Sequence, residues 1–221
     1  MMTDGINSWE ILTIGLSVSF LLCAFLGSGK FRLGQILRYY ALQSLFLAGI
    51  LISMAAYGDE HLYLSALGVV LFKVILIPTI ISTSAARSFA SGRLTSFVRP
   101  APSYFVSGFT LLLAVLAGIS IAHALEETDL ILTVTAFAAM FLGGAMMAVR
   151  RDLYSQIIGF FTLENGISIL AAATLGAIPL LAEVGIFFTI TIGAVLMSML
   201  SRRLKELYAV EESAELKELV D

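Results

Sequence analysis

Seven stretches of about 20 apolar residues, separated by short polar breaks, dominate this sequence and limit what it can fold into. A helix of that length matches the thickness of the hydrocarbon core, so each stretch predicts one spanning helix. The expected spans are residues 9–26, 36–57, 62–83, 104–122, 130–149, 153–175 and 184–200. We therefore expect an all-α integral membrane protein with seven transmembrane helices. The first is expected to be a retained helix, because it lacks the basic leader of a signal peptide.

The composition agrees with a chain that lies almost wholly in a lipid bilayer. Of 221 residues, 59% are hydrophobic and 13% charged, whereas a soluble domain carries about 25% charged residues. These shares exclude a soluble globular enzyme and a disordered protein. The net charge of −3 offers no basic surface for nucleic acid. A single cysteine, Cys23, excludes a disulfide framework or a cysteine-based metal centre within this chain, so we expect no cofactor here.

The distribution of basic residues predicts how the helices are oriented. Twelve of the 13 Lys and Arg residues lie in the first, third and fifth loops, at their helix ends or in the C-terminal tail, and the other loops contain none. Because basic loops stay on the cytoplasmic side, we expect an outside N-terminus and a cytoplasmic C-terminus in the plasma (inner) membrane. The expected units are a three-helix half (1–103), a connecting helix (104–123), a second three-helix half (124–201) and a charged tail (202–221).

Two charged residues, Lys73 and Glu164, lie inside predicted spans. Each is 11 residues into its helix, which places both at a depth of roughly 16 Å, near the middle of the bilayer. A charge at that depth costs on the order of 3 kcal/mol and often marks an ion path. Burial disfavours an ionised carboxyl group and a nearby ammonium opposes that effect, so such a pair is a tunable proton site. The alternative is a purely structural ion pair that fixes helix register.

The neighbours of these two charges offer further polar groups at the same depth. Ser168 is four residues after Glu164 and shares its helix face, and Thr162 and Asn165 are close by. Ser and Thr also bond to helix carbonyls without any other role. Pro78, five residues after Lys73, removes one helical hydrogen bond and either loosens a turn beside the lysine or only shapes packing.

Five segments resemble hydrogenase-4 component E, a membrane subunit of formate-hydrogenlyase-like nickel–iron hydrogenases. They are Tyr40-Ala41-Leu42-Gln43-Ser44-Leu45, Leu71-Phe72-Lys73-Val74-Ile75-Leu76-Ile77-Pro78, the pair Arg150-Arg151-Asp152-Leu153 and Leu163-Glu164-Asn165-Gly166, and Glu183-Val184-Gly185-Ile186. The resemblance implies a non-catalytic subunit of an oxidoreductase complex. Its expected partners are antiporter-like and quinone-site-type membrane subunits and a cytoplasmic hydrogenase-like arm, which would hold the nickel–iron and iron–sulfur centres.

The last three helices also resemble the NuoK-type subunit of respiratory complex I, which carries a mid-membrane glutamate in its second helix. The resemblance implies that Glu164 lies on a hydrated proton path. The second carboxylate of that family is missing, since the last span offers only Thr189 and Thr191, with Glu183 at its outer end. Lys73 or a neighbouring subunit would supply the partner. Gln43, thirteen residues after Lys30 as Glu164 is after Arg151, occupies the equivalent place in a weak internal repeat.

The leading functional hypothesis is a subunit of a redox-driven complex that translocates protons or sodium ions. A subunit of a cation/proton antiporter without redox chemistry is the alternative. A seven-helix retinal protein fits the topology, but the retinal-binding lysine of that class is in the last helix, whereas Lys73 is in the third.

Overall fold

A computed structural model describes residues 8–56, 60–86, 100–124 and 129–175, together with residue 193. Within these ranges the chain is helical apart from short connections and contains no β-strand, as expected for an all-α protein. The helices are α1 (Ser8–Ser28), α2 (Leu33–Ala55), α3 (His61–Gly68), α4 (Ile77–Ala86), α5 (Pro100–Ala124), α6 (Leu130–Val149) and α7 (Leu153–Leu175). A π-helical segment, Val69–Leu76, joins α3 to α4 without a break, so the three form one long helix, here called the third span.

Six helices in the described ranges are long and apolar enough to cross a bilayer. Each has 19 to 23 residues with a mean hydropathy of 1.5 to 2.4. They correspond to the first six predicted spans. The seventh, residues 184–200, lies outside the described residues, as does the tail at 202–221. The seventh span and the orientation of the termini therefore remain predictions, and so does the division into two three-helix halves.

The predicted helix ends agree closely with the structure for α6 and α7 and differ elsewhere by a few residues. Helix α2 begins at Leu33, three residues before the predicted start, directly after Arg32 in an extended conformation. Helix α5 begins at Pro100, four residues earlier than predicted. Proline suits the first position of a helix, because the backbone N–H that it lacks has no helical partner there.

Helices α6 and α7 approach each other through glycine. A side-chain carbon added at Gly143 would lie 2.5 Å from both the Gly159 carbonyl oxygen and the Leu163 backbone nitrogen. One added at Gly166 would lie 2.6 Å from the Ala136 carbonyl oxygen. Small residues let membrane helices come this close, and the backbones then make extensive van der Waals contact. The neighbouring Gly144, by contrast, has nothing within 4 Å of such a carbon.

Two separate apolar clusters form the core, and each draws on α2, α6, α7 and the third span. We call them the first and the second apolar cluster. Among others, the first contains Leu47, Leu51, Val69, Ala139 and Ile169. The second contains Tyr40, Ile77, Ile81, Met146 and Phe161. In α2, α7 and the third span the two clusters are separated by a short stretch whose buried side chains are polar.

The π-helical segment places the lysine of the third span. The Ile77 backbone N–H donates to the Phe72 carbonyl, five residues back, where an α-helix would use the carbonyl four residues back. Pro78 follows directly and has no N–H with which to continue either pattern. The irregularity lies on the N-terminal side of the proline and contains Lys73 itself. Such segments are rare and frequently lie at functional sites.

Candidate functional site

Lys73 and Glu164 meet in the interior as an ion pair between the third span and α7. The lysine ammonium contacts Glu164 Oε2, and the lysine side chain is completely buried. The glutamate side chain keeps 11% of its surface exposed. The two residues are far apart in sequence, and the packing of the third span and α7 against α2 brings them together.

One turn of α7 supplies further contacts of this pair. Lys73 Nζ donates to Asn165 Oδ1 over 2.9 Å and to Ser168 Oγ over 3.4 Å. Ser168 Oγ lies 3.0 Å from the Glu164 carbonyl oxygen and 3.1 Å from Glu164 Oε1. Residues three and four apart share a helix face, which is why these three side chains converge on one ammonium group.

Helix α2 adds a second layer of polar contacts. Asn165 Nδ2 donates to Ser44 Oγ over 3.3 Å, so both ends of this amide are used. Thr162 Oγ1 lies 3.4 Å from Gln43 Oε1 and 2.9 Å from the Ile158 carbonyl oxygen. Its single hydroxyl proton favours the shorter contact, so the bond to Gln43 is the weaker of the two.

The structure thus brings together six of the predicted site residues in one buried layer, here called the polar layer. Its members are Gln43, Ser44, Lys73, Thr162, Glu164, Asn165 and Ser168. Six of the seven are buried, and Ser168 is partly so. The first apolar cluster packs on one side of the layer and the second on the other. Pro78 lies five residues beyond Lys73 in α4, and Glu183, Thr189 and Thr191 lie outside the described residues.

Ser44 and Tyr40 were not predicted as site residues. Ser44 is fully buried and accepts from Asn165, and Tyr40 is 2% exposed. The Tyr40 ring packs 5.8 Å from the Phe161 ring, and its hydroxyl faces Ser44. Positions 40, 43, 44 and 47 lie on one helix face. Tyr40, Gln43 and Ser44 are three polar or amphipathic side chains on one face of an apolar helix, and this pattern in the sequence could have indicated Tyr40 and Ser44 as site residues.

The ion pair leaves the polar layer with no net charge, and this is what makes its burial tolerable. Removing either charge alone would leave an uncompensated ion in surroundings of low dielectric constant, which costs several kcal/mol. Within the described ranges no three His, Cys, Asp or Glu residues lie close enough together to hold a metal ion. The carboxylate, ammonium, amide and hydroxyl groups of the layer are suited to hydrogen bonding and proton exchange.

A second buried charge, Arg150, lies at the junction of α6 and α7. Its guanidinium Nη2 donates to the carbonyl oxygens of Ser28 and, over 2.6 Å, of Lys30. The guanidinium carbon lies 4.2 Å from the centre of the Phe31 ring. The sequence presents Arg150 as a basic loop residue, but its side chain is only 1% exposed because it fastens the α1–α2 loop to the end of α6.

Burial shifts the pKa values of the two charged side chains at this junction. Burial lowers the pKa of Arg150, and the nearby Asp152 carboxylate partly opposes that shift. Burial raises the pKa of Asp152, and the Ser155 backbone N–H, which donates to Asp152 Oδ1 over 2.7 Å, opposes it together with Arg150. Asp152 thereby caps the start of α7.

Comparison with known proteins yields distant relatives. The uncharacterized protein Rv0085 of Mycobacterium tuberculosis is 24% identical over 191 residues, covering 86% of this chain and 87% of that protein. Hydrogenase-4 component E of Escherichia coli K12 is 26% identical over 174 residues, covering 75% of this chain and 77% of that protein. The Shigella flexneri protein of the same name gives the same values.

No family model and no solved structure matches the chain. The resemblance to hydrogenase-4 component E is therefore supported at a distance, and the resemblance to the NuoK-type subunit stays a prediction. The matches and the six apolar helices together fit a multi-pass membrane protein distantly related to a membrane hydrogenase component.

Proposed function

We propose that this chain is a membrane subunit of a multi-subunit, redox-driven complex of the membrane-bound hydrogenase and complex I superfamily. In that complex it would contribute Glu164 and Lys73 to a path for protons. The observation that carries the proposal is the buried Lys73–Glu164 ion pair, held by a polar layer between two apolar clusters. Ionisable side chains at such depth are costly and usually mark ion paths.

The geometry suggests how the pair would exchange a proton. When a proton arrives at the Glu164 carboxylate, the Lys73 ammonium loses its counter-charge in surroundings of low dielectric constant. This favours release of a proton from Lys73, so arrival and departure are coupled and the layer returns to zero net charge. Asn165 and Ser168 hydrogen-bond to the lysine and keep it oriented during the exchange.

The partners follow from the same proposal. Antiporter-like and quinone-site-type membrane subunits would adjoin this chain in the inner membrane, and a cytoplasmic hydrogenase-like arm would hold the nickel–iron and iron–sulfur centres. A cation/proton antiporter complex without redox chemistry is the second candidate, because a buried Lys–Glu pair would serve ion exchange there as well. Copurification of antiporter-type subunits without any metal-containing subunit would favour this second candidate.

Charge-removing variants of the whole complex test the proposal. Glu164→Gln keeps the shape of the side chain but cannot titrate. Because Lys73 can release its proton when it has no counter-charge, the layer can stay neutral, so the variant should assemble while proton translocation falls roughly tenfold or more. Glu164→Asp should be milder, because it titrates but is shorter. Glu60→Gln, at an exposed carboxyl group beside the start of α3, is the matched control and should pump normally.

A purely structural ion pair makes a different forecast. Each single variant, Glu164→Gln or Lys73→Met, would then strand a buried charge at a cost of about 3–5 kcal/mol and fail to assemble. The double variant would recover both assembly and pumping. Assembly and proton pumping should therefore be measured on both single variants and on the double variant. Full pumping by Glu164→Gln would refute the proposal.

A further inference from the structure

Three oxygen atoms of α7 contact the ammonium group of Lys73, and we call their position the three-oxygen site. Glu164 Oε2 forms the ion pair, Asn165 Oδ1 lies at 2.9 Å and Ser168 Oγ at 3.4 Å. All three oxygens come from one turn of α7, while the lysine enters from the π-helical segment of the third span. Carboxylate, amide and hydroxyl oxygens are the ligands that hard metal cations prefer.

The same site without the lysine would be a small cavity with one negative charge. The carboxylate would have no counter-ion, and the two apolar clusters flank the polar layer on either side. A buried, uncompensated carboxylate is unfavourable, and a cation bound to it would relieve that cost. In the native chain the ammonium already supplies this positive charge, and a second cation at the same oxygens would meet strong repulsion.

We propose that Lys73 acts as a tethered cation that keeps alkali metal ions out of the three-oxygen site, so that protons are the ions exchanged at Glu164. This inference rests on the proposed function, and it reduces the choice of protons or sodium ions that the sequence leaves open to protons alone. It also predicts a new property, since removing the lysine side chain should turn the site into one that binds an alkali cation.

Two substitutions of the lysine separate the loss of its charge from the loss of its volume. Lys73→Ala vacates the site and leaves the three oxygens in place, so an alkali cation and water can enter. Lys73→Met also removes the charge, but its apolar side chain fills most of the same space and should exclude a hydrated cation. The two variants are matched, because Glu164 loses its charged partner in both of them and only the space left by the lysine differs.

The experiment measures thermal unfolding of the full chain in lipid nanodiscs. The wild type and each variant are unfolded in sodium, lithium, potassium or choline chloride at equal ionic strength. At a cation concentration about 100-fold above its Kd, Lys73→Ala should unfold about 5 °C higher in at least one alkali salt than in choline. The wild type, Lys73→Met and the double variant Lys73→Ala with Glu164→Gln should show no difference between alkali and choline salts.

Three results would overturn the inference. They are an alkali-specific shift in the wild type, the absence of a shift in Lys73→Ala, and failure of Lys73→Ala to fold in every salt, because a bound cation should restore the charge balance. This binding assay does not involve pumping. If Lys73→Ala binds a cation but Glu164→Gln pumps normally, the proposed function fails while the site geometry stands. If Lys73→Ala binds no cation but Glu164→Gln loses pumping, only the exclusion of alkali ions by Lys73 is refuted.

Discussion

Lys73 donates a hydrogen bond to the side-chain carbonyl of Asn165 over 2.9 Å, and the amide nitrogen of the same asparagine donates to Ser44. Asn165 thus connects the third span to α2 through the two ends of its side-chain amide. It couples the position of the charged pair to the packing of a helix that carries no charge in its buried part.

Asn165→Leu should destabilise the chain more than Ser44→Ala does. The leucine removes a bond to a charged donor and also leaves the Ser44 hydroxyl without this donor, for a loss of about 2–3 kcal/mol. Ser44→Ala removes only the longer, neutral bond and should cost about 1 kcal/mol. Denaturant unfolding of the two variants in nanodiscs measures the difference. Equal losses would show that the bond from Lys73 adds nothing to stability.

The contact between α6 and α7 predicts a sharp contrast between adjacent glycines. Gly143→Ala should force the helices apart and cost about 1–3 kcal/mol, because its methyl group would collide with the backbone of α7. Gly144→Ala adds the same methyl group to a position with nothing within 4 Å and should be neutral or slightly stabilising. Thermal unfolding of both variants tests this, and similar losses would contradict the observed contact.

Arg150 should resist replacement by lysine. Its planar guanidinium donates to two backbone carbonyls and lies against Phe31, an arrangement that an ammonium group does not reproduce. We expect Arg150→Lys to lose about 1.5–3 kcal/mol of stability. Arg151→Ala, at the exposed neighbouring position, should change stability by about 0.5 kcal/mol or less and serves as the control. A neutral Arg150→Lys would show that the loop is held by other contacts.

Asp152 should make stability depend on pH. Burial raises its folded pKa above the unfolded value of about 3.9, so the folded chain binds more protons between these two values. Its contribution to stability is therefore present at low pH and is lost as the pH rises through the folded pKa. Asp152→Asn can keep the cap on α7 without titrating. Its Tm relative to the wild type should rise as the pH increases above the ordinary aspartate pKa of about 3.9, and a constant difference would contradict the prediction.

The orientation of the chain is tested by cysteine labelling from outside the cell. Asp59→Cys and Glu127→Cys should react with an impermeant thiol reagent, whereas Arg93→Cys should not, because basic loops are expected in the cytoplasm. The native Cys23 is buried and provides the background measurement. Labelling of Arg93→Cys alone would reverse the assignment.

Of the seven spans that hydrophobic length predicted, the six that fall within the described residues are confirmed, and depth alone was enough to single out Lys73 and Glu164. Both predictions follow from the cost of placing polar groups in hydrocarbon, because the length of a span and the position of a charge within it can be counted along the sequence. The π-helical segment could not be predicted, because Val69–Leu76 is apolar apart from Lys73 and its hydrogen-bond register depends on packing. The burial of Arg150 was also missed, since a basic residue in a short loop reads as solvated until the α1–α2 loop is known to lie against it.

The two apolar clusters determine how strongly the charges of the polar layer act on each other. Along α2, α7 and the third span, side chains such as Leu47 and Val69 pack on one side of the polar layer, and Ile77 and Phe161 pack on the other. Apolar surroundings lower the local dielectric constant, so the attraction between Lys73 and Glu164 is screened less than it would be at a wet surface. The Glu164 side chain nevertheless keeps 11% of its surface exposed. Under the proposed function, a proton would reach or leave the pair through this exposed part of Glu164.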